Sequence, residues 1–157
     1  MTKRIVLLQA LASTPADLAR LVRSADHETL HWQNTANDWS AAAVLLHLAQ
    51  VEKAYRHRLQ RIANEDEPHV PSIDPEVGEI PGDVAADSLL HEFESERAQT
   101  IAFLKELSPG GWQRPAIHET LGRTTLRYQV QNLVDHDIEH TNQLVEVLRQ
   151  RRVETGD

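Results

Sequence analysis

Ser40-Ala41-Ala42-Ala43-Val44-Leu45-Leu46-His47-Leu48-Ala49 decides how the rest of the chain must be arranged. Ser40 is a good helix N-cap, because its hydroxyl can accept from a free backbone N–H of the first turn. The residues after it are apolar at almost every position. A helix apolar on all sides is buried on all sides. It needs other helices around it, and the spacing carries it to about Ala63. Within its buried half sits one polar residue, His47. A lone histidine there is neutral and hydrogen-bonded, or it binds a metal.

Toward the N-terminus, Asp26 to Asn37 reads as a connector, with room for one short helical turn at His27 to Leu30. Trp32 and Trp39 bracket it and are expected to anchor it on the core. Before it, Lys3 to Leu11 and Ala16 to Val22 place apolar residues at helical spacing. Thr14-Pro15 between them reads as an N-cap followed by proline at the first helical position, so a kink or restart is expected there. Beyond the buried helix, Asn64 to Pro81 is acidic and carries Pro68, Pro71, Pro75 and Pro81. Such a long irregular crossover in a compact domain is functional or mobile. A third helix is expected from about Val84 to Leu107, with Leu90, Phe93, Ile101 and Leu104 on one face. Pro109-Gly110-Gly111 ends it. After a second loop, Thr124 or Thr125 caps a last helix that reaches about Arg149. No run shows the strand period, and no repeat is visible. The expectation is one all-α domain over residues 1–157, a four-helix bundle with a long crossover between its second and third helices.

The chain has 157 residues, enough for one domain with a sizeable core. Aromatic content is 4%, so that core must come mainly from Leu, Val, Ile and Ala. The net charge of −8 argues against nucleic acid and against an anionic membrane surface. No basic segment leads into an apolar run at the N-terminus, and no apolar run of transmembrane length is expected. A cytoplasmic protein without membrane partners follows. Without cysteine, disulfides, thiolate metal sites and a cysteine nucleophile are excluded. Any metal would be held by nitrogen and oxygen.

The last helix carries His136-Asp137-Ile138-Glu139-His140. Four residues make about 400° of rotation, so the two imidazoles stack one turn apart. That spacing suits two ligands on one metal ion. It also arises by chance in a chain with nine histidines. Gln129, Leu133, Gln143 and Val147 share the stripe, as expected for a face looking into a pocket. Asp137 and Glu139 point roughly 80° to either side and suit supporting or surface positions better than ligation. Glu52 lies about 140° from His47 and is a poor partner for it. His57 and His91 fall on solvent sides of their helices, and His27, His31, His69 and His118 lie in connectors. One histidine from a buried helix and two from another would make a three-nitrogen site with open coordination positions. The competing reading is a satisfied core histidine beside an unrelated surface pair. Arg97 lies about 40° from Phe93 on the apolar side of its helix, as an ion-paired arginine or as an anion clamp for substrate.

These residues resemble the DinB-like superfamily, which includes the YfiT-type proteins regarded as metal-dependent hydrolases. The likeness rests on Asn37-Asp38-Trp39-Ser40-Ala41-Ala42 leading into His47-Leu48-Ala49-Gln50-Val51-Glu52. It continues with Phe93 and Arg97, then Leu121-Gly122-Arg123-Thr124-Thr125-Leu126, then His136-Asp137-x-x-His140 with Gln143-Leu144. It implies a four-helix bundle whose metal ligands are His47, His136 and His140. It implies one divalent ion, Zn or Ni foremost, with Fe, Co and Mn as further candidates. It implies a small-molecule substrate and a homodimer. Similar proteins include thiol transferases that use bacillithiol or mycothiol, so a low-molecular-weight thiol is a further candidate cofactor. The implied function is a metal-dependent thiol transferase or hydrolase. The alternative is a non-catalytic, stress-associated dimeric metal-binding bundle. Asp137, Glu139 and Gln143 are candidates for orienting the ligands, and Arg97 for binding substrate.

Overall fold

The structure is a computed structural model that describes residues 3–156. Its helices are α1 (Lys3–Val22), α2 (His27–His31), α3 (Ala41–Asn64), α4 (Ala86–Glu106) and α5 (Leu126–Thr155). The four long ones form a bundle, and α2 is a short turn in the first connector. Capping residues fix where α2, α3 and α5 start. Ser40 Oγ accepts from the Ala43 amide at 3.1 Å, Asp26 Oδ1 from Thr29 at 2.8 Å, and Thr125 Oγ1 from Tyr128 at 3.2 Å. The last helix runs past Arg149 to Thr155, where Gly156 takes a φ of 78° that suits a residue without Cβ.

The apolar core has two halves. Leu7 and Leu11 of α1, Tyr55, Leu59 and Ile62 of α3, Leu104 of α4 and Leu126 and Val130 of α5 gather in one. Leu18 and Val22 of α1, Val44, Leu45 and Leu48 of α3, Leu89 and Phe93 of α4 and Leu144 and Leu148 of α5 gather in the other. Early residues of α1 and α5 thus share a half with late residues of α3 and α4. So α1 and α5 run one way and α3 and α4 the other. This up-down-down-up order explains the crossover. The 24 residues of α3 make a rod about 36 Å long, and residues 65–85 must travel back along it before α4 can start.

That return is tied down along its path. Arg58 Nη2 donates to the Pro71 carbonyl, and Ile73 and Ile80 pack against the two core halves. Nε2 of His27 lies 2.5 Å from the Gly82 carbonyl and Nε2 of His31 lies 3.0 Å from that of Val84. Two connector histidines that the sequence leaves unplaced therefore pin the end of the crossover.

Three expectations need correcting. The first helix does not restart at Thr14-Pro15. Pro15 has no N–H, which leaves the Leu11 carbonyl without its helical donor. Arg97 Nη1 donates to that carbonyl at 2.9 Å, so a tertiary contact replaces the lost bond and α1 runs through. Thr14 is not a cap. Its hydroxyl donates to Asp137 Oδ2 at 2.8 Å. Second, the loops carry a small sheet of β1 (His69–Val70), β2 (Pro115–His118) and β3 (Gly122–Thr125). β1 pairs with β2 in parallel, His69 opposite Ile117, and β2 with β3 antiparallel. Strands of two to four residues are too short to show a period in sequence. His69 and His118 therefore sit in strands. Third, α1 does reach the length and apolarity of a membrane span, with a mean hydropathy of 1.4. In the bundle its Leu7, Leu11, Leu18 and Val22 form a buried stripe.

Candidate metal centre

His47 lies on α3, and His136 and His140 lie one turn apart on the facing, antiparallel α5. His47 is 3% exposed, and the other two are half-buried. Each of the three offers a ligand nitrogen, and these atoms lie within 4.8 Å of one another. Nε2 of His47 and Nε2 of His136 are 3.1 Å apart. The ring centroids are separated by 5.2 Å (His47–His136), 4.6 Å (His47–His140) and 4.3 Å (His136–His140). Trp39 walls one side. Its ring stacks on His140 at 5.8 Å with an interplanar angle of 10° and meets His47 at 4.8 Å.

The surroundings keep His47 and His136 neutral. Burial, then the neighbouring His140, His47 and Arg97, push the His136 pKa down to about 3. Burial also lowers His47, with His140 acting in the same direction. The Asp74 carboxylate and the Pro75 backbone of the crossover, with Glu139, oppose it. Neutral imidazoles offer lone pairs. The Nδ1 of His140 lies 2.7 Å from Gln143 Oε1. An amide oxygen can only accept, so His140 carries its proton on Nδ1 and leaves Nε2 free to ligate.

A divalent cation fits this donor set. Nitrogens about 2.0–2.1 Å from a tetrahedral ion lie about 3.3 Å from one another. The observed separations, 3.1 Å at one pair and none above 4.8 Å, need only small rotations to meet that value. Two nitrogen atoms that face each other at 3.1 Å share at most one proton between them. A cation would give every lone pair a positive partner.

Arg97, Asp137 and Glu52 are placed together, in a different role. Arg97 is 1% exposed and Glu52 0%. Arg97 Nη1 donates to Asp137 Oδ2 at 2.7 Å, and its Nη2 donates to Asp137 Oδ1 at 2.9 Å and to Glu52 Oε2 at 2.8 Å. Thr14 of α1 completes the group through Asp137, so each long helix contributes one residue to a polar layer between the two core halves. Burial works against the guanidinium charge, but Glu52 and Asp137 outweigh it and raise the Arg97 pKa. Both Nη atoms of Arg97 are thus committed within the core. Glu52 is a poor partner for His47, as its helical angle implies, because it serves Arg97. Glu139 is exposed.

The DinB superfamily profile matches residues 10–144. The chain belongs to the DinB superfamily. Among solved structures, YfiT from Bacillus subtilis superposes with a TM-score of 0.81 at 22% identity, over 96% of this chain and 90% of that one. YfiT is described as a probable metal-dependent hydrolase with an unusual four-helix bundle topology. A second DinB-like protein of Bacillus subtilis, YjoA, superposes with a TM-score of 0.64 at 15% identity, over 92% and 91% of the two chains. At such identities the likeness concerns the fold. No curated protein matches the chain significantly. Sequence reasoning missed two members of this DinB-superfamily core. Trp39 was expected to anchor a connector, yet it also walls the histidines; its place directly before the cap of the His47 helix was the available signal. Thr14 was masked by the proline after it.

Proposed function

We propose that His47, His136 and His140 hold one divalent metal ion and that this DinB-superfamily protein is a metal-dependent enzyme acting on a small molecule. The observation that carries the reading is the convergence of three imidazoles from two helices, two of them held neutral by burial, with no carboxylate among them. When bound, such an ion acts as a Lewis acid that lowers the pKa of a coordinated water or thiol. The chain's own residues do the rest. Gln143 orients His140 through its Nδ1. Trp39 and the apolar residues around His47 shield one side from water. The crossover passes close by, where Asp74 and Pro75 act on His47. A nitrogen-only donor set leaves the ion's full charge in place, which suits a thiol or water nucleophile. Zn and Ni lead the candidate metals, with Fe, Co and Mn after them. Arg97 has no substrate role in this reading, because its Nη atoms are already committed.

Elemental analysis of untagged protein purified without added metal tests the centre, beside the His47→Ala/His136→Ala double variant. About one equivalent of metal in the native protein, as a single His₃ site requires, and none in a folded double variant is the expected result. Native protein that takes up no Zn, Ni or Fe under anaerobic reloading would overturn the reading. Metal-loaded protein should then hydrolyse, or transfer a thiol to, small electrophiles, with the activity lost in His136→Ala.

A further inference from the structure

The polar layer beside the histidines is not electrically balanced. It contains two carboxylates, Glu52 and Asp137, and one guanidinium, Arg97. Among the described residues no other cation lies within salt-bridge distance of either carboxylate. Both oxygens of Asp137 have donors: Oδ1 accepts from Arg97, and Oδ2 accepts from Arg97 and Thr14. Glu52 differs. Its Oε2 accepts from Arg97, while its Oε1 is fully buried and has no partner. The excess negative charge of the layer therefore falls on Glu52 Oε1. A buried, unpaired carboxylate oxygen is costly unless a positive charge stands near it.

The histidine cluster adjoins this layer. Asp137 follows His136 in the chain, Glu52 comes five residues after His47, and Arg97 is near enough to His136 to act on it electrostatically. The cluster has the complementary deficit. Nδ1 of His136 is buried and has no hydrogen-bond partner, whereas the Pro75 backbone meets the His47 ring. An imidazole that ligates through Nε2 carries its proton on Nδ1 and calls for an acceptor there. His136, with an N–H short of an acceptor, and Glu52, with an oxygen short of a donor, thus both neighbour Arg97.

We propose that Glu52 supplies the buried counter-charge that sets the affinity of the histidine centre for a dication, as a positioning residue rather than a ligand. The inference rests on the metal reading above and adds a specific residue to it. Its signature is a pair of effects with opposite sign. Glu52→Gln keeps an oxygen to accept from Arg97 and leaves Arg97 balanced by Asp137, so the metal-free protein should melt at the same temperature or higher. With the charge gone, Zn²⁺ affinity should fall about 10–100-fold, the usual range for losing a group behind a ligand. A purely structural residue would lower the melting temperature and leave affinity unchanged.

The experiment measures Zn²⁺ affinity by competition with a chromophoric chelator, and melting temperature in excess chelator, for native protein, Glu52→Gln, Glu52→Asp and the exposed control Glu106→Gln. Weaker Zn²⁺ binding by Glu52→Gln alone, with undiminished metal-free stability and substantial rescue by Glu52→Asp, supports the assignment. Unchanged Zn²⁺ affinity in Glu52→Gln overturns it and leaves the metal centre standing. A Glu52→Gln protein that is destabilised or fails to fold also overturns it. Native protein that binds no Zn²⁺ overturns the metal reading itself, and this assignment with it.

Discussion

Two groups of polar side chains interrupt the apolar core of this bundle, and they are completed in different ways. The Arg97 layer draws Thr14, Glu52, Arg97 and Asp137 from four helices, and its members turn inward on one another. The histidine cluster draws on two helices, and its nitrogens face a common point without satisfying each other. His140 has an outside partner in Gln143 and His47 in the Pro75 backbone, while His136 Nδ1 has none among the described residues. A layer whose charged groups pair with one another locks four helices in register, and leaves only Glu52 Oε1 and Arg97 Nε without a partner among its described atoms. A cluster that leaves valences open contributes little to the fold and keeps its bonding capacity for something else.

If that contrast is right, the largest effect belongs to the layer. Arg97→Met leaves two buried carboxylates without a cation, and should destabilise the protein by about 3–5 kcal/mol. Denaturant unfolding of the metal-free protein would measure it. His136→Ala in the same assay should lie within about 1 kcal/mol of the native protein, since it removes a half-buried group with no partner at Nδ1. Equal losses from the two substitutions would erase the distinction.

Acid should find the weak point of the cluster next. The unfolded chain takes up a proton at His136 near pH 6.5, while the folded chain withholds it until about pH 3. Between those values the unfolded state binds more protons, so stability is fully present above the upper value and declines as pH falls. The slope is up to about 1.4 kcal/mol per pH unit for this group. His47, lowered for the same reason, adds to it. Melting curves of metal-free protein at successive pH values should show the decline, and His136→Ala should flatten it. A parallel decline in that variant would assign acid sensitivity elsewhere.

The cluster was also the part that sequence made legible. Helical spacing alone stacks His136 on His140, and a wholly apolar helix makes His47 conspicuous. The resemblance then joined them, and the structure brings their nitrogens together. The helix starts at Ser40 and Thr125 were legible because a cap is a local interaction. The layer was not. Its four members lie on four helices and meet only through long-range contacts, between positions as far apart as Thr14 and Asp137. Helical angle set Glu52 aside as a partner for His47, but no angle could name Arg97 as its partner. The strands were missed because their pairing, not their composition, makes them strands. A smaller effect sharpens this division. Gln143→Leu frees the His140 proton from its acceptor, so Zn²⁺ affinity should fall at least about tenfold with little change in metal-free stability. Competition titration with a chelator reads it, and an unchanged affinity would leave His140 oriented by packing against Trp39.

Pro15 offers the smallest effect and the most specific test of how the layer is built. A proline inside a helix ordinarily costs about 3 kcal/mol, partly because a carbonyl one turn earlier loses its donor. Here that carbonyl, on Leu11, receives Arg97 Nη1 at 2.9 Å. Pro15→Ala should therefore gain less than about 1 kcal/mol in the native background, because the bond it restores has already been replaced. In the Arg97→Met background the same substitution should gain more, since the backbone N–H it introduces then finds the Leu11 carbonyl unpartnered. A coupling of at least about 0.5 kcal/mol in the double-mutant cycle is expected. Strict additivity would mean that Arg97 only happens to lie near the break, and that α1 tolerates its proline for reasons of its own. Measured coupling would mean that the proline and the arginine form one device, in which a fault in one helix provides the acceptor that seats the central cation of the layer.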